Sequence, residues 1–427
     1  AQRDFEIISL ATTGTNTGNG ASLNPVISSN GQFIAFVSDA SNLVANDTNG
    51  LRDVFWRDRR SGTTRLVSHT PTGGSGNGLS DSPVISPDGR FVAFHSRASN
   101  LVANDANTNF DVFIWDAQND SVTLVSRTAS GASGAGDSIA PHLSDNGRIV
   151  TFLSIAPDLV AGDTNGTADA FARDLDLGVT YLVSRNTNGV AGNAATSVPV
   201  ISGNGRYVAF LSAASDLVTN DFNTLNDVFV HDLQTRTTKL VSVNVAGTGS
   251  GNRLSFDPVI SADGRYIAFA SQATNLVTIP DTNNFPDIFV RDMQLGVTKL
   301  VSVNQSGTAS GGNGGVSSLL PASSTPFLSA DGTKVLFVSL ASDLVAGDNN
   351  GLQDVFLRDH VNGTTTLISS NRFGTGTANG HSGIGAFSMS ADLRYIAFFS
   401  TASDLGPADL NGKTDVYLRD LQQGTTK

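Results

Sequence analysis

The 427-residue chain contains no cysteine. Disulfide bonds, thiolate metal sites and a cysteine nucleophile are therefore excluded. Long apolar runs are also missing, because no stretch approaches the roughly 18 uncharged apolar residues that a membrane-spanning helix needs. The fold must be held together by burial alone, or by burial together with a metal ion that takes oxygen ligands.

Glutamate is almost absent from the chain. Of the 38 acidic residues, only Glu6 is a glutamate and all the others are aspartates. Aspartate is preferred where a short carboxylate must reach nearby backbone N–H groups or a bound cation. The formal net charge of −12, without a basic stripe, opposes binding to nucleic acid.

The first residues bear on cellular location. The chain begins with Ala1 and Gln2, without a methionine or the hydrophobic segment of a signal peptide. This start is typical of a mature exported protein, although a chain shortened in another way would begin similarly. We therefore expect export to the periplasm, the cell surface or the medium.

A repeat of roughly 60 residues runs along the chain. One copy reads Pro-Val-Ile-Ser-Pro-Asp-Gly-Arg-Phe-Val-Ala-Phe-His-Ser from Pro83, followed by Ala-Ser-Asn-Leu-Val from Ala98. A spaced Asp/Asn motif comes next, and a Thr-x-Leu-Val-Ser segment ends the copy. The copies start near seven positions: Pro25, Pro83, Pro141, Pro199, Pro258, Pro326 and Phe387.

Each copy predicts four short strands. The first ends at an Asp-Gly or Asn-Gly turn such as Asp88-Gly89, which is the strongest short signal for a hairpin. Four antiparallel strands repeated seven times predict an all-β fold, a seven-bladed β-propeller with four-stranded antiparallel blades. We expect a single domain over residues 1–427. Residues 5–10 are predicted to complete the seventh blade as its missing strand and so to close the ring.

Two phrases carry a family resemblance. Ile-Ser-Pro-Asp-Gly-Arg-Phe-Val-Ala-Phe at residues 85–94 and Asp-Val-Phe-Leu-Arg-Asp at residues 354–359 resemble the TolB-like, WD-like propeller repeat of exported bacterial proteins. The resemblance covers all seven copies and implies a propeller fold. It also implies docking of protein partners on one face. The repeat here is longer than the TolB repeat, because Ala-Ser-Asn-Leu-Val and an Asp-rich loop stand between the second and third strands.

The most informative motif is the spacing Asp-x-Asn-x-x-x-Asp, here called the Asp loop, which occurs in every copy. Oxygen ligands at its first, third and seventh positions, with a backbone carbonyl near the fifth, suit Ca²⁺. We therefore expect up to seven Ca²⁺, one per blade. The predicted ligands are Asp47, Asn49 and Asp53; Asp105, Asn107 and Asp111; Asp163, Asn165 and Asp169; Asp221, Asn223 and Asp227; Asp281, Asn283 and Asp287; Asp348, Asn350 and Asp354; and Asp409, Asn411 and Asp415.

A metal-free interpretation of the Asp loop stays open at this point. Asp and Asn side chains also stabilise loops by accepting hydrogen bonds from backbone N–H groups. Gene duplication would copy such a loop seven times, so the copies are not independent observations. In favour of a cation, two neighbouring carboxylates repel one another without a counter-ion. Seven Ca²⁺ would also roughly neutralise the net charge of −12.

A further aspartate ends the third strand of every copy, at Asp58, Asp116, Asp174, Asp232, Asp292, Asp359 and Asp420. We expect these aspartates to cap the turn into the fourth strand. Trp56 and Trp115 lie in third strands, where packing between blades is the expected role. His142 lies on a predicted first strand and is the one histidine with a possible role at the channel.

The copies differ most where two junctions between blades lengthen, at residues 304–325 and 371–386. Long loops on a rigid scaffold often carry binding sites. Arg372, Phe373 and His381 are therefore the candidate partner-binding residues.

Three functions are compatible with this sequence. The first is a non-catalytic, exported, calcium-binding propeller that acts as a scaffold for a protein or glycan, as a monomer without a membrane span. The second is a propeller enzyme, a polysaccharide lyase or hydrolase with an active site at the channel mouth and structural Ca²⁺. The third is a structural repeat module of a surface or adhesion protein. The nearly uniform, apolar first strands favour the first function over the second.

Overall fold

The computed structural model describes residues 6–14, 16–281, 283–312, 326–385, 389–406 and 412–427. These residues form seven four-stranded antiparallel sheets, the blades of a seven-bladed β-propeller. The predicted fold class is confirmed. Phe387, the predicted start of the seventh repeat, lies outside the described residues. No helix in the described part of the chain is long and apolar enough to cross a membrane.

Each blade contains four strands in chain order. Blades one to three contain β1 (Ser22–Ile27), β2 (Phe33–Ser38), β3 (Asp53–Asp58) and β4 (Thr63–Leu66); β5 (Ser80–Ile85), β6 (Phe91–Ser96), β7 (Asp111–Asp116) and β8 (Ser121–Leu124); and β9 (Ser138–Leu143), β10 (Ile149–Ser154), β11 (Asp169–Asp174) and β12 (Val179–Leu182). Blade four contains β13 (Thr196–Ile201), β14 (Tyr207–Ser212), β15 (Asp227–Asp232) and β16 (Thr237–Leu240).

The last three blades repeat the same order. They contain β17 (Ser255–Ile260), β18 (Tyr266–Ser271), β19 (Asp287–Asp292) and β20 (Val297–Leu300); β21 (Phe327–Leu328), β22 (Lys334–Ser339), β23 (Asp354–Asp359) and β24 (Thr364–Leu367); and β25 (Ser382–Gly383), β26 (Tyr395–Ser400), β27 (Asp415–Asp420) and β28 (Thr425–Thr426). The chain divides into two compact units, Ala1–Val208 and Ala209–Lys427, and the boundary falls within β14. That the whole chain is one domain stays a prediction.

A pair of stacked aromatic rings lies at the centre of every blade. The second and third strands each contribute one ring, and the centroids are 5.7–5.8 Å apart. Offset stacking of buried rings adds to the stability that their burial provides. The pairs are Phe36–Phe55, Phe94–Phe113, Phe152–Phe171, Phe210–Phe229, Phe269–Phe289, Phe337–Phe356 and Phe398–Tyr417.

Neighbouring blades within a unit pack through apolar side chains. Trp56 and Trp115 meet edge to face, 5.7 Å apart, in one buried cluster shared by blades one and two. The indole Nε1 of Trp56 donates a hydrogen bond to the carbonyl of Gly89 at 2.9 Å. The predicted role of the two tryptophans in packing between blades is confirmed.

The first strands contain a β-bulge that explains the recurring proline. In blade one, Leu23 pairs with Val37 and Val26 with Ala35, so that Asn24 and Pro25 together face Phe36. Blades two and five have the same shift in register. Proline lacks an N–H group, and a bulge is a place where the ladder needs none. The residue before the proline has a positive φ, 49° at Asn24.

The segment before β1 resembles the later junctions between blades. Leu10 and Thr17 form an isolated antiparallel bridge, as His69 and Ser75 do after blade one. Ile8 packs against the core cluster of blade one. That residues 5–10 complete the seventh blade stays a prediction, and residue 5 lies outside the described residues.

Two phenylalanines of blade four provide a matched test of the ring pairs. Phe229 is fully buried against Phe210, whereas Phe222 is 78% exposed. We expect Phe229→Ala to lower the free energy of unfolding by about 3–5 kcal/mol, through lost burial and a cavity. Phe222→Ala should change it by less than about 0.5 kcal/mol. Denaturant unfolding of both variants measures the difference, and equal losses would contradict the assigned core.

Candidate metal site in the aspartate loops

Each Asp loop runs from the second strand of a blade to the start of its third strand. In blade one, the loop contacts the junction that leaves the same blade. The backbone N–H of Thr48 donates to Ser75 Oγ at 3.0 Å, and Asn49 Nδ2 donates to the carbonyl of Gly76 at 2.8 Å. Asp loops and blade junctions therefore lie together, as predicted. Gly76 lets the junction pack against blade two, because a β-carbon there would lie 2.8 Å from that of Ala98.

The last aspartate of the loop is buried and is held by a serine of the fourth segment. Ser68 Oγ donates to Asp53 Oδ1 at 2.5 Å and accepts the backbone N–H of Val54 at 3.1 Å. Asp53 is completely buried. The same serine–aspartate bond of 2.5–2.6 Å recurs in blades two to six, at Ser126–Asp111, Ser184–Asp169, Ser242–Asp227, Ser302–Asp287 and Ser369–Asp354. We did not predict this role for the serine of Thr-x-Leu-Val-Ser, although its constant position was a visible signal.

In blades one to four and six, the first aspartate of the loop is buried with fewer hydrogen-bond partners than the last. Asp47 is 5% exposed and Asp348 is 4% exposed. Neither carboxylate oxygen of either residue has a hydrogen-bond partner among the described residues. Asp221 differs, because it accepts a hydrogen bond from Ser250 Oγ at 3.0 Å. A buried carboxylate without a partner is costly unless it is protonated or accompanied by a cation.

The asparagine of the loop makes hydrogen bonds through both ends of its amide. Asn49 Oδ1 accepts the backbone N–H of Leu51 at 2.7 Å, while its Nδ2 donates to Asp53 Oδ2 at 2.7 Å and to Gly76. In all six described loops the amide Nδ2 also donates to a junction carbonyl. The asparagine thus ties the loop to the junction, and its oxygen is already engaged.

Burial and mutual repulsion raise the pKa of the paired aspartates. Burial raises the pKa of Asp53 to about 7. The nearby charge of Asp47 acts in the same direction, whereas the hydrogen bonds from Ser68 and Asn49 lower this pKa. The equivalent carboxyl groups of Asp111, Asp227, Asp287 and Asp354 also have a pKa raised to about 7, and that of Asp169 to about 6. In blades one to four and six, burial raises the pKa of both aspartates of the loop, so that the pair favours a proton or a cation.

The donor set of one loop limits what it could bind. Across the described residues, no three histidine, cysteine or acidic side chains are grouped so that they could hold a metal ion. Each loop provides two carboxylates, and Ca²⁺ would need backbone carbonyls or water to reach its usual six to eight oxygens. Asp409 and Asn411 of the seventh loop lie outside the described residues. The seven metal sites stay a prediction.

The aspartates that end the third strands cap turns, as predicted. Asp116 Oδ1 accepts the backbone N–H of Gln118 at 2.9 Å, and the Arg90 guanidinium donates to both carboxylate oxygens at 2.8–2.9 Å. Arg90 lowers the pKa of Asp116. The backbone bond from the residue two positions later recurs in all seven blades.

The candidate partner-binding residues lie in the junction after blade six. The Arg372 guanidinium stacks over the Phe373 ring, 4.7 Å from its centroid, and Phe373 is 69% exposed. His381 has a different environment, because its Nδ1 accepts the backbone N–H of Gln353 at 3.1 Å. Arg372 and Phe373 are therefore available at the surface, while His381 holds the start of β23.

His142 lies on β9, where it pairs with Thr151 of β10. Burial lowers the pKa of His142 to about 4, so that its ring is neutral at pH 7. The role of His142 at the channel stays a prediction.

Comparison with known proteins supports the fold. No family model matches the chain, and no curated protein matches it. A prolyl endopeptidase structure matches at 11% identity and TM-score 0.53, over 96% of this chain and 49% of that chain. The propeller domain of the Trilobed protease from Pyrococcus furiosus matches at 10% identity and TM-score 0.48, over 96% and 97%. TolB from Acinetobacter baumannii matches at 17% identity and TM-score 0.35, over 67% and 57%.

At 11% identity, the match to the prolyl endopeptidase structure supports the propeller fold and nothing finer. The chain spans about half the length of the prolyl endopeptidase that it matches. Activity therefore has to be argued from the residues of this chain.

The raised pKa values predict how the metal-free protein responds to pH. The folded state keeps protons on Asp53 and its equivalents up to about pH 7, whereas the unfolded chain releases them near the ordinary value of 3.8. Stability in chelator should therefore fall as the pH rises from 5 to 8. Thermal melts across this range measure the effect. A melting temperature that rises steadily over the same range would contradict the buried-carboxyl assignment.

Proposed function

We propose that this chain is a non-catalytic, exported β-propeller whose Asp loops each bind one Ca²⁺ and thereby stiffen a surface for a protein or glycan partner. The observation that carries the proposal is the buried carboxylate pair, which recurs in the loops of blades one to four and six. A divalent cation would remove the repulsion within each pair and replace the protons that burial otherwise favours.

The two aspartates are the proposed ligands of each ion. The unpartnered oxygens of Asp47 and Asp348 support a ligand role for the first aspartate. In blades two, four and five, Oδ2 of the last aspartate also lacks a hydrogen-bond partner, at Asp111, Asp227 and Asp287. We propose that the asparagine acts one step away from the ion, because its amide holds the loop against the junction.

Calcium binding to the Asp loops would raise the free energy of unfolding of the protein. Extracellular Ca²⁺ modules bind with dissociation constants of roughly 10⁻⁴–10⁻³ M, which suits a site with two carboxylates. At a calcium concentration ten times the dissociation constant, each site would stabilise the folded state by about 1.4 kcal/mol. Several such sites would stabilise the protein strongly outside the cell, where calcium is abundant, and weakly in the cytosol. This dependence supports an exported location.

The proposed partner-binding surface lies where the Asp loop of blade six contacts the junction that leaves the same blade. The Asp loop of blade six begins beside the junction that carries Arg372 and Phe373, since the Thr377 N–H points to the Gly347 carbonyl at 3.4 Å. A calcium ion in that loop would order the base of the exposed Phe373 loop. We propose that a monomer presents this surface to its partner.

A metal count on the purified protein tests the calcium proposal. We expect close to seven Ca²⁺ per chain by elemental analysis, and a melting temperature that falls when a chelator removes them. Two aspartates of β3 provide matched variants: Asp53→Asn should lose one ion, whereas Asp58→Asn alters the turn cap and should keep all of them. No bound calcium together with an unchanged melt would overturn the proposal.

A further inference from the structure

Three exposed phenylalanines lie in the second compact unit, on blades four, five and six. Phe222 belongs to the Asp loop of blade four, Phe285 to the Asp loop of blade five, and Phe373 to the junction after blade six. Their exposed fractions are 78%, 50% and 69%, and no other phenylalanine among the described residues is as exposed. Single exposed apolar residues are ordinary, whereas aromatic rings that recur on one face indicate a binding surface.

The fold does not need an aromatic ring at these three positions. The residue equivalent to Phe222 is a threonine in blades one and three, and the residue equivalent to Phe285 is a threonine in blade three. The junctions after blades four and five carry Ala246 and Ser306 where the junction after blade six carries Phe373. Because the other copies form the same loops without a ring, the three phenylalanines indicate a binding role.

The backbone beside each ring is held by polar contacts or by packing. Asn283 Oδ1 accepts the backbone N–H of Phe285 at 2.7 Å, and the same kind of bond fixes Phe373. Phe222 packs on the junction that leaves blade four, where a β-carbon on Gly249 would lie 3.3 Å from its ring. The rings therefore stand on ordered loops, so that a ligand pays little entropy for ordering them.

The surface around the rings is polar and carries little charge. The exposed neighbours Thr224, Asn284 and Thr375 present hydroxyl and amide groups, which hydrogen-bond with sugar hydroxyls. The one exposed charge within two residues of a ring is Arg372, whose guanidinium stacks over Phe373. Separate rings with polar loops between them differ from the continuous apolar core of a protein interface. The net charge of −12 also opposes an acidic polymer.

We propose that the Asp-loop face of blades four to six binds a neutral polysaccharide, with Phe222, Phe285 and Phe373 stacking on separate sugar units. The inference rests on the proposed binding function and names its partner. The face of an aromatic ring carries negative charge and attracts the C–H bonds on the face of a sugar ring. Weak contacts to one polymer reinforce each other, because every contact after the first is intramolecular.

The test uses the full chain in native gels that contain hydroxyethylcellulose, xyloglucan, galactomannan or laminarin, with alginate as the acidic polymer. Bound calcium is counted in the same preparation. We expect at least one neutral polymer to retard the protein and alginate to leave its mobility unchanged. A disaccharide of the retarding polymer should compete only weakly, since it reaches one ring at a time.

The variants take the residues that other copies have at the same positions. Phe222→Thr, Phe285→Thr and Phe373→Ser should each weaken binding about tenfold and leave the melting temperature and the calcium count unchanged. Leu295→Ala is the matched control. Leu295 is 68% exposed in the turn between β19 and β20, at the opposite end of the blade, so its replacement should not change binding.

Retardation that survives in the triple phenylalanine variant, or that alginate produces equally, would overturn the inference. So would a calcium-loaded protein that no neutral polymer retards, including one that sediments with phosphatidylcholine vesicles instead. The calcium function would then stand with a different partner. Retardation by a neutral polymer in a protein without bound calcium would support the inference and overturn the calcium proposal.

Discussion

In blades one to six, a buried aspartate at the start of the third strand sets the organisation of the blade. In blade one, Asp53 is fully buried, and its carboxylate is fixed by Ser68 and Asn49. These two partners come from the end of the fourth segment and from the middle of the Asp loop. One carboxylate thus joins the loop, the third strand and the exit of the blade. Ionisation of the same residue carries an electrostatic cost, since burial raises its pKa to about 7.

The charge of the buried aspartate can be compensated in two ways. At low pH a proton neutralises the buried carboxyl group, and at neutral pH a divalent cation would balance its charge. The turn-capping aspartate at the other end of the third strand has its pKa shifted in the opposite direction. Asp116 at the far end of its strand meets Arg90, and its pKa is lowered. Aspartates at the two ends of one strand therefore have opposite charge preferences, because only one end has a cationic partner.

Sequence reasoning predicted the blades well and the polar contacts poorly. Alternating apolar residues and Asp-Gly turns were enough to predict the four strands, because both signals are local. The bulge at Asn24 and Pro25 was not predicted, since register depends on the opposite strand. The bonds of Asn49 were not predicted either, because an amide can donate or accept and spacing does not reveal which atom faces which partner.

The copies of the Asp loop differ in the hydrogen bonds of their first aspartate. Duplication alone explains why the loops share their aspartates, but it does not explain why Asp348 lacks the partners that Asp221 and Asp281 have. The most direct test of the account is anomalous diffraction from crystals grown with terbium as a calcium substitute. The account predicts a peak beside both aspartates in each Asp loop. Ordered loops without such peaks would contradict it and leave the aspartates as protonated, hydrogen-bonded turns.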